Sequence, residues 1–99
     1  MLNQIVLVGR IAKELELKEL ESGKKVCNIT LAVPRSFKNS KGEYETDFID
    51  CTLWGNIAEN TVEYCHKGDL VGIKGRLQTE EGTLYVMTEK ITFLNSKGE

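Results

Sequence analysis

Apolar residues recur at every second position in several separate stretches of this chain, and at helical spacing in only one. That pattern restricts the fold to a β-structure carrying a single helix. Asp69 to Gln78 alternates most cleanly, with Val71, Ile73, Gly75 and Leu77 on one face and Gly72, Lys74, Arg76 and Gln78 on the other. Leu2 to Ile11 is apolar on both parities, which suits a strand covered on both sides. Leu15 to Leu20 is expected to continue it after a bend, and Ser22-Gly23 then signals a turn. Lys25 to Ser36 gives a second strand with Cys27, Ile29, Leu31 and Val33 on its core face. Pro34 cannot donate to a ladder, so it marks a strand end, an edge or a bulge. After the polar loop Lys38 to Gly42, Glu43 to Trp54 returns as the third strand.

The period changes between Asn56 and His66. Ile57, Ala58, Thr61, Val62 and Cys65 recur at helical spacing, Asn56 is an acceptable N-cap, and Gly68 is placed to end the helix. Asp69 to Gln78 follows as the fourth strand. Glu80-Glu81-Gly82 supplies a tight turn into the fifth, Thr83 to Leu94. Five strands with one short helix between the third and fourth is the order of an all-β OB-fold, a Greek-key barrel whose sheet face and loops commonly bind oligonucleotides or oligosaccharides. An SH3-like barrel also accepts several short strands.

The 99 residues make one domain, expected to span residues 1–95, with a polar end at 96–99. No stretch approaches the ~20 apolar residues of a membrane span, and Met1 leads into no basic, then apolar, leader, so a cytoplasmic protein is expected. Cys27, Cys51 and Cys65 are odd in number and include no CxxC pair. Neither a disulfide framework nor a zinc site is expected, and no cofactor. Small buried hydrophobes are the better reading of these cysteines.

The third strand carries most of the functional information. One face holds Ile49, Cys51 and Leu53, and the other holds Phe48, Asp50, Thr52 and Trp54. Two large aromatics on a face that should meet water suggest a contact surface. Flat rings beside basic residues are what unpaired nucleic-acid bases stack on. A second core or a subunit interface is the competing reading. The formal net charge of -2 counts against nucleic acid, but distribution matters more than the sum. Glu14, Glu16, Glu19 and Glu21 crowd one segment, whereas Ser22 to Gly42 holds Lys24, Lys25, Arg35, Lys38 and Lys41 and no acid.

Several motifs in order across nearly the whole chain resemble the bacterial single-stranded DNA-binding proteins. They are Asn3-Gln4-Ile5-Val6-Leu7-Val8-Gly9-Arg10, Asn28-Ile29-Thr30-Leu31-Ala32-Val33 with Arg35-Ser36-Phe37-Lys38, and Thr46-Asp47-Phe48-Ile49. Trp54-Gly55, Ala58-Glu59-Asn60, Lys67-Gly68-Asp69-Leu70-Val71 and Gly75-Arg76-Leu77-Gln78-Thr79 complete the series. The resemblance implies that Phe37, Phe48 and Trp54 are base-stacking aromatics. Strand parity reaches Phe48 and Trp54 independently, whereas Phe37 continues the core parity beyond Pro34. Lys74 and Arg76 are expected beside the stacking surface. Arg35, Lys38 and Lys41 bracket the loop near Phe37, and Arg10 closes the first strand. Such cations neutralise phosphates with little sequence preference.

The resemblance further implies a homotetramer, a dimer of dimers, with first strands pairing through Asn3, Ile5, Val6, Leu7 and Val8. Apolar character on both faces of Ile5 to Val8 agrees, since such an edge left open invites aggregation. Two features depart from the family. The hairpin Thr79-Glu80-Glu81-Gly82-Thr83 is short and acidic where a longer basic loop is usual. The acidic and aromatic tip that docks repair and replication enzymes has no counterpart in Asn95 to Glu99, so no recruitment of those enzymes is expected.

An enzyme reading has little support. His66 is the only histidine, and its neighbour Cys65 points about 100° away around a helix. Asp47 and Asp50 lie on opposite strand faces. The expectation is a non-catalytic binder of single-stranded DNA serving replication, recombination or repair. The alternative is an OB-fold protein-interaction module using Phe48 and Trp54 as an interface. Stacking ignores the sugar, so RNA remains open as a ligand.

Overall fold

The computed structural model of the chain describes residues 1–94; the polar end expected at 96–99 lies outside them. The elements in chain order are β1 (Ile5–Ile11), β2 (Lys18–Glu19), β3 (Lys25–Lys38), β4 (Tyr44–Trp54), α1 (Gly55–Tyr64), β5 (Leu70–Glu80) and β6 (Thr83–Phe93). The five long strands run round in the order β1-β5-β6-β4-β3, and Arg10↔Ala32 with Ile11↔Leu31 closes β3 back onto β1. Neighbours are antiparallel except β4 and β6, which run parallel through Cys51↔Val86 and Thr52↔Met87. This is the expected barrel, with its short helix between the third and fourth long strands.

The barrel closes over a small core. Ile11, Leu31, Leu53, Val71, Ile73 and Val86 are essentially inaccessible, with Cys27 and Cys51 filling between them. Each such Leu, Ile or Val contributes about 1.5–3 kcal/mol by burial. Helix α1 adds Ala58 to this core and packs against β3 and β4. Closure brings backbones so near that two positions have no room for a side chain. A Cβ at Gly9 would run into the Ala32 carbonyl, and one at Gly75 into the Met87 carbonyl, beside a bulge in the β5–β6 ladder.

Three expectations are corrected. Leu15 to Leu20 does not continue β1, because only Lys18 and Glu19 pair, with Val26 and Lys25. Strand β3 ends at Lys38 rather than Ser36, with the irregularity expected at Pro34 present as a register shift between Pro34 and Lys38. The turn then forms because Asn39 Oδ1 accepts the backbone N–H groups of Lys41 and Glu43 at 2.9 and 3.0 Å. Helix α1 begins at Gly55 with Trp54 as its N-cap and no side-chain cap bond, so Asn56 lies inside the first turn. It ends at Tyr64, not Gly68. Cys65 turns extended (φ −117°, ψ 154°) to bury its thiol, and Asp69 Oδ2 accepts the His66 N–H at 2.9 Å.

Strand β1 turns only one of its two apolar faces to its own barrel. Ile5, Leu7, Gly9 and Ile11 face the core, but Val6 and Val8 are 70% and 51% exposed. One chain covers only one side of this strand. Moreover, Ile5 to Gly9 pair with β5 alone, since β3 reaches β1 only at Arg10 and Ile11.

Candidate nucleic-acid interface

The β4 alternation holds throughout the barrel. Ile49, Cys51 and Leu53 turn inward, and Phe48, Asp50, Thr52 and Trp54 turn outward. Phe48 is 66% exposed and Trp54 37%. Neither ring is a core residue. Register places Phe48 opposite Ala32, Asp50 opposite Thr30, Thr52 opposite Asn28 and Trp54 opposite Val26. Small and polar β3 side chains thus leave the Phe48 ring open, whereas Trp54 stands opposite the buried Val26. Phe37 is also 66% exposed, at the outer end of the β3–β4 hairpin, so it is not tucked against the barrel.

Two aromatic–cation contacts border this surface. Lys24 Nζ lies 6.0 Å from the Trp54 ring centroid, and Lys38 Nζ lies 5.8 Å from that of Tyr44. Tyr44 is exposed and shares the parity of Phe48 and Trp54. Sequence reasoning passed over it, although the same alternation extended four residues back reaches it. Lys24 carried no such signal, because only the turn at Ser22-Gly23 brings it over Trp54.

The remaining basic candidates separate in space. Arg10 stands in a cross-strand row, Leu70–Arg10–Ala32–Phe48, two strands from the ring; its Nη1 donates to the Gly68 carbonyl at 3.1 Å. Arg76 stands in the row Arg76–Met87–Thr52–Asn28, likewise two strands from β4. Its Nη1 meets Glu89 Oε2 at 2.9 Å and its Nε donates to Gln78 Oε1 at 2.9 Å. Lys74 does not join the aromatics. Its register partners are Val6 and Lys90, so it belongs to the outer surface of β1, β5 and β6. Arg35 is occupied: Nε and Nη2 bond both oxygens of Asp47, and Nη1 meets Glu45 Oε1 at 3.0 Å. These hydrogen bonds hold the guanidinium pKa above, and the Asp47 carboxyl below, their ordinary values. Lys25 is paired with Glu59 at 3.4 Å.

Between the Phe48 and Trp54 positions, the β5–β6 hairpin borders an open groove of about 540 Å³. Its walls include Asn28, Thr30, Asp50 and Thr52 from the β3–β4 face, and Glu80, Glu81 and Tyr85 from the hairpin. Thr52 Oγ1 donates to Asn28 Oδ1 at 2.9 Å, and Thr30 Oγ1 donates to Asp50 Oδ1 at 3.4 Å. Among the described residues, Lys13 is the one cation lining it. Asn3, expected at a subunit contact, bonds both backbone groups of Leu77 at 2.9 and 2.8 Å and so prolongs the β1–β5 ladder.

Among the described residues no group of three or more His, Cys, Asp or Glu side chains could hold a metal. None of their helices is long and apolar enough to cross a membrane. Burial raises the thiol pKa of all three cysteines, to about 12 at Cys51 and about 11 at Cys65.

Comparison with known proteins gives one consistent result. A model of the single-strand binding protein family matches residues 2–89. The chain is similar to single-stranded DNA-binding protein B of Bacillus subtilis, 51% identical over 94 residues, covering 90% of this chain and 83% of that protein. It is 45% identical to a single-stranded DNA-binding protein of Halalkalibacterium halodurans, covering 99% of this chain and 64% of that one. Single-stranded DNA-binding protein A of Bacillus subtilis is 43% identical, with 98% and 62% covered. The chain therefore spans a little under two thirds of these two longer relatives.

Proposed function

The chain belongs to the single-strand binding protein family, and from that premise we propose how it holds unpaired DNA. It binds single-stranded DNA without catalysis and largely without regard to sequence, coating strands exposed in replication, recombination and repair. Bases stack on Phe48 and Trp54, and the track continues along the hairpin past Phe37 and Tyr44. Each stacked base contributes about 1–3 kcal/mol by the measure of alanine substitution. Lys38 and Arg10 meet phosphates near these rings, and Arg76 does so once it exchanges Glu89 for a phosphate. Lys74 serves DNA that passes on toward β1. Arg35 first has to exchange a carboxylate for a phosphate.

The observation that carries this reading is the outward turn of Phe48 and Trp54 on one strand, with open polar ground between them. The chain also assembles, in this proposal, as a homotetramer in the bacterial cytoplasm. The half-open edge of β1 and the exposed Val6 and Val8 support pairing of first strands between two copies. Several copies let one DNA strand engage many platforms, which raises avidity without new contacts.

Trp54 is the single tryptophan, so its fluorescence reports on one platform. Titration with oligothymidine should quench it, less at high salt, and matched duplex should not. Absence of quenching by any single strand would remove Trp54 from the binding surface.

A further inference from the structure

We propose that Asp50 selects bases by their hydrogen-bonding edge, favouring those with an exocyclic amine over thymine and uracil. The inference rests on the single-strand-binding reading above and adds to it a preference at one position on the track.

Asp50 lies on the outward face of β4 between the two rings, about 7 Å along the strand from Phe48. One of its oxygens receives the Thr30 hydroxyl at 3.4 Å. The other makes no hydrogen bond within the described residues, and Asp50 lines the groove. A strand stacked on Phe48 and Trp54 must pass over this groove. Its phosphates are kept out, because among the described residues Asp50, Glu80 and Glu81 line the groove against the single amine of Lys13. What can enter is the edge of a base.

A carboxylate accepts hydrogen bonds and offers none, and the N4 amine of cytosine is its standard partner among base edges. Adenine and guanine also carry amines. Thymine and uracil place a carbonyl oxygen at that position, and their one ring N–H is flanked by two carbonyls that would face the anion. The neighbouring row supplies the complement. Because Asn28 Oδ1 accepts from Thr52 Oγ1 at 2.9 Å, the Asn28 amide N–H groups are left to donate toward an acceptor on the same base. The groove thus offers an acceptor and a donor to a base edge, where the rings beside it offer only stacking.

Cytosine and uracil have the same ring size and differ at the edge in question, so oligodeoxycytidine and oligodeoxyuridine isolate the effect from stacking. Both would be titrated into the wild type and Asp50→Asn, with Trp54 fluorescence as readout, in slightly alkaline buffer to keep cytosine neutral. Asp50 is exposed, and circular dichroism would verify that the variant is folded. The wild type should bind the cytidine strand more tightly by about tenfold, which is what one charge-assisted hydrogen bond commonly supports. In Asp50→Asn the ratio should fall to near one, since an amide can turn either its oxygen or its NH₂ to the base. Equal wild-type affinity for the two strands would overturn base selection while leaving strand binding intact. So would an equal gain in both affinities on substitution, which would make Asp50 a repulsive charge alone. Failure to bind either strand would instead refute the reading on which the inference rests.

Discussion

Arg35 grips Asp47 by both carboxylate oxygens, with Nε donating to Oδ2 at 3.1 Å and Nη2 to Oδ1 at 3.0 Å. Glu45 takes the remaining nitrogen at 3.0 Å. A basic residue of the β3–β4 hairpin is thereby neutralised in the free protein.

The Asp47 carboxyl is held below its ordinary value chiefly by the Arg35 hydrogen bond. A lowered folded pKa stabilises the fold above the unfolded value and ceases to do so as pH falls through the folded one. Carboxyl NMR should therefore find Asp47 titrating below the usual aspartate range, and Arg35→Gln should bring it back up. The double variant Asp47→Asn, Glu45→Gln should free the guanidinium for phosphate. Its affinity for oligothymidine should then depend on salt more steeply, by a slope of about one.

Removing either platform should weaken binding without unfolding the barrel. Phe48→Ala and Trp54→Ala are each expected to cost about 1–3 kcal/mol of affinity, or roughly 5- to 150-fold. Thermal melts should stay close to wild type, since both rings are turned out of the core. A fall in melting temperature as large as that from a core truncation would show that the rings are packing residues.

Val6 tests the assembly. A charge in place of an exposed valine costs one isolated chain little, but a charge buried between two copies is expensive. Light scattering of Val6→Asp should give a smaller particle than the wild type. An unchanged mass would place any subunit contact elsewhere.

The cysteines should be chemically silent. Burial pushes the Cys51 thiol up to about 12 and Cys65 to about 11, so almost no thiolate exists at neutral pH. A thiol reagent should label the native protein slowly and label all three sites promptly in denaturant. Rapid native labelling would mean that the barrel opens readily.

What the sequence determined by itself is the content of each element and the side of it on which each residue lies. A strand's two-residue period is a local property of the backbone, so parity alone separates Phe48, Asp50, Thr52 and Trp54 from Ile49, Cys51 and Leu53. The same reasoning buries Cys27 and Cys51 and locates the one helix. Its limits show at the helix ends, where burial of Cys65 and the Asp69 bond to His66 outweigh the cap preferences of Asn56 and Gly68.

Only the tertiary structure decided which rows meet. Lys74 and Arg76 share one face of one strand, yet barrel closure aligns Arg76 with Met87 and Thr52, and Lys74 with Val6. Arg35 looks free in a run of basic residues, but the β3–β4 register brings back two acids, from ten and twelve positions on, to hold it. The β5–β6 hairpin reads as an acidic turn, and only folding sets Glu80 and Glu81 around the same groove as Asp50. Periodicity acts over a few residues, whereas register is set by turns, bulges and closure between segments far apart in the chain.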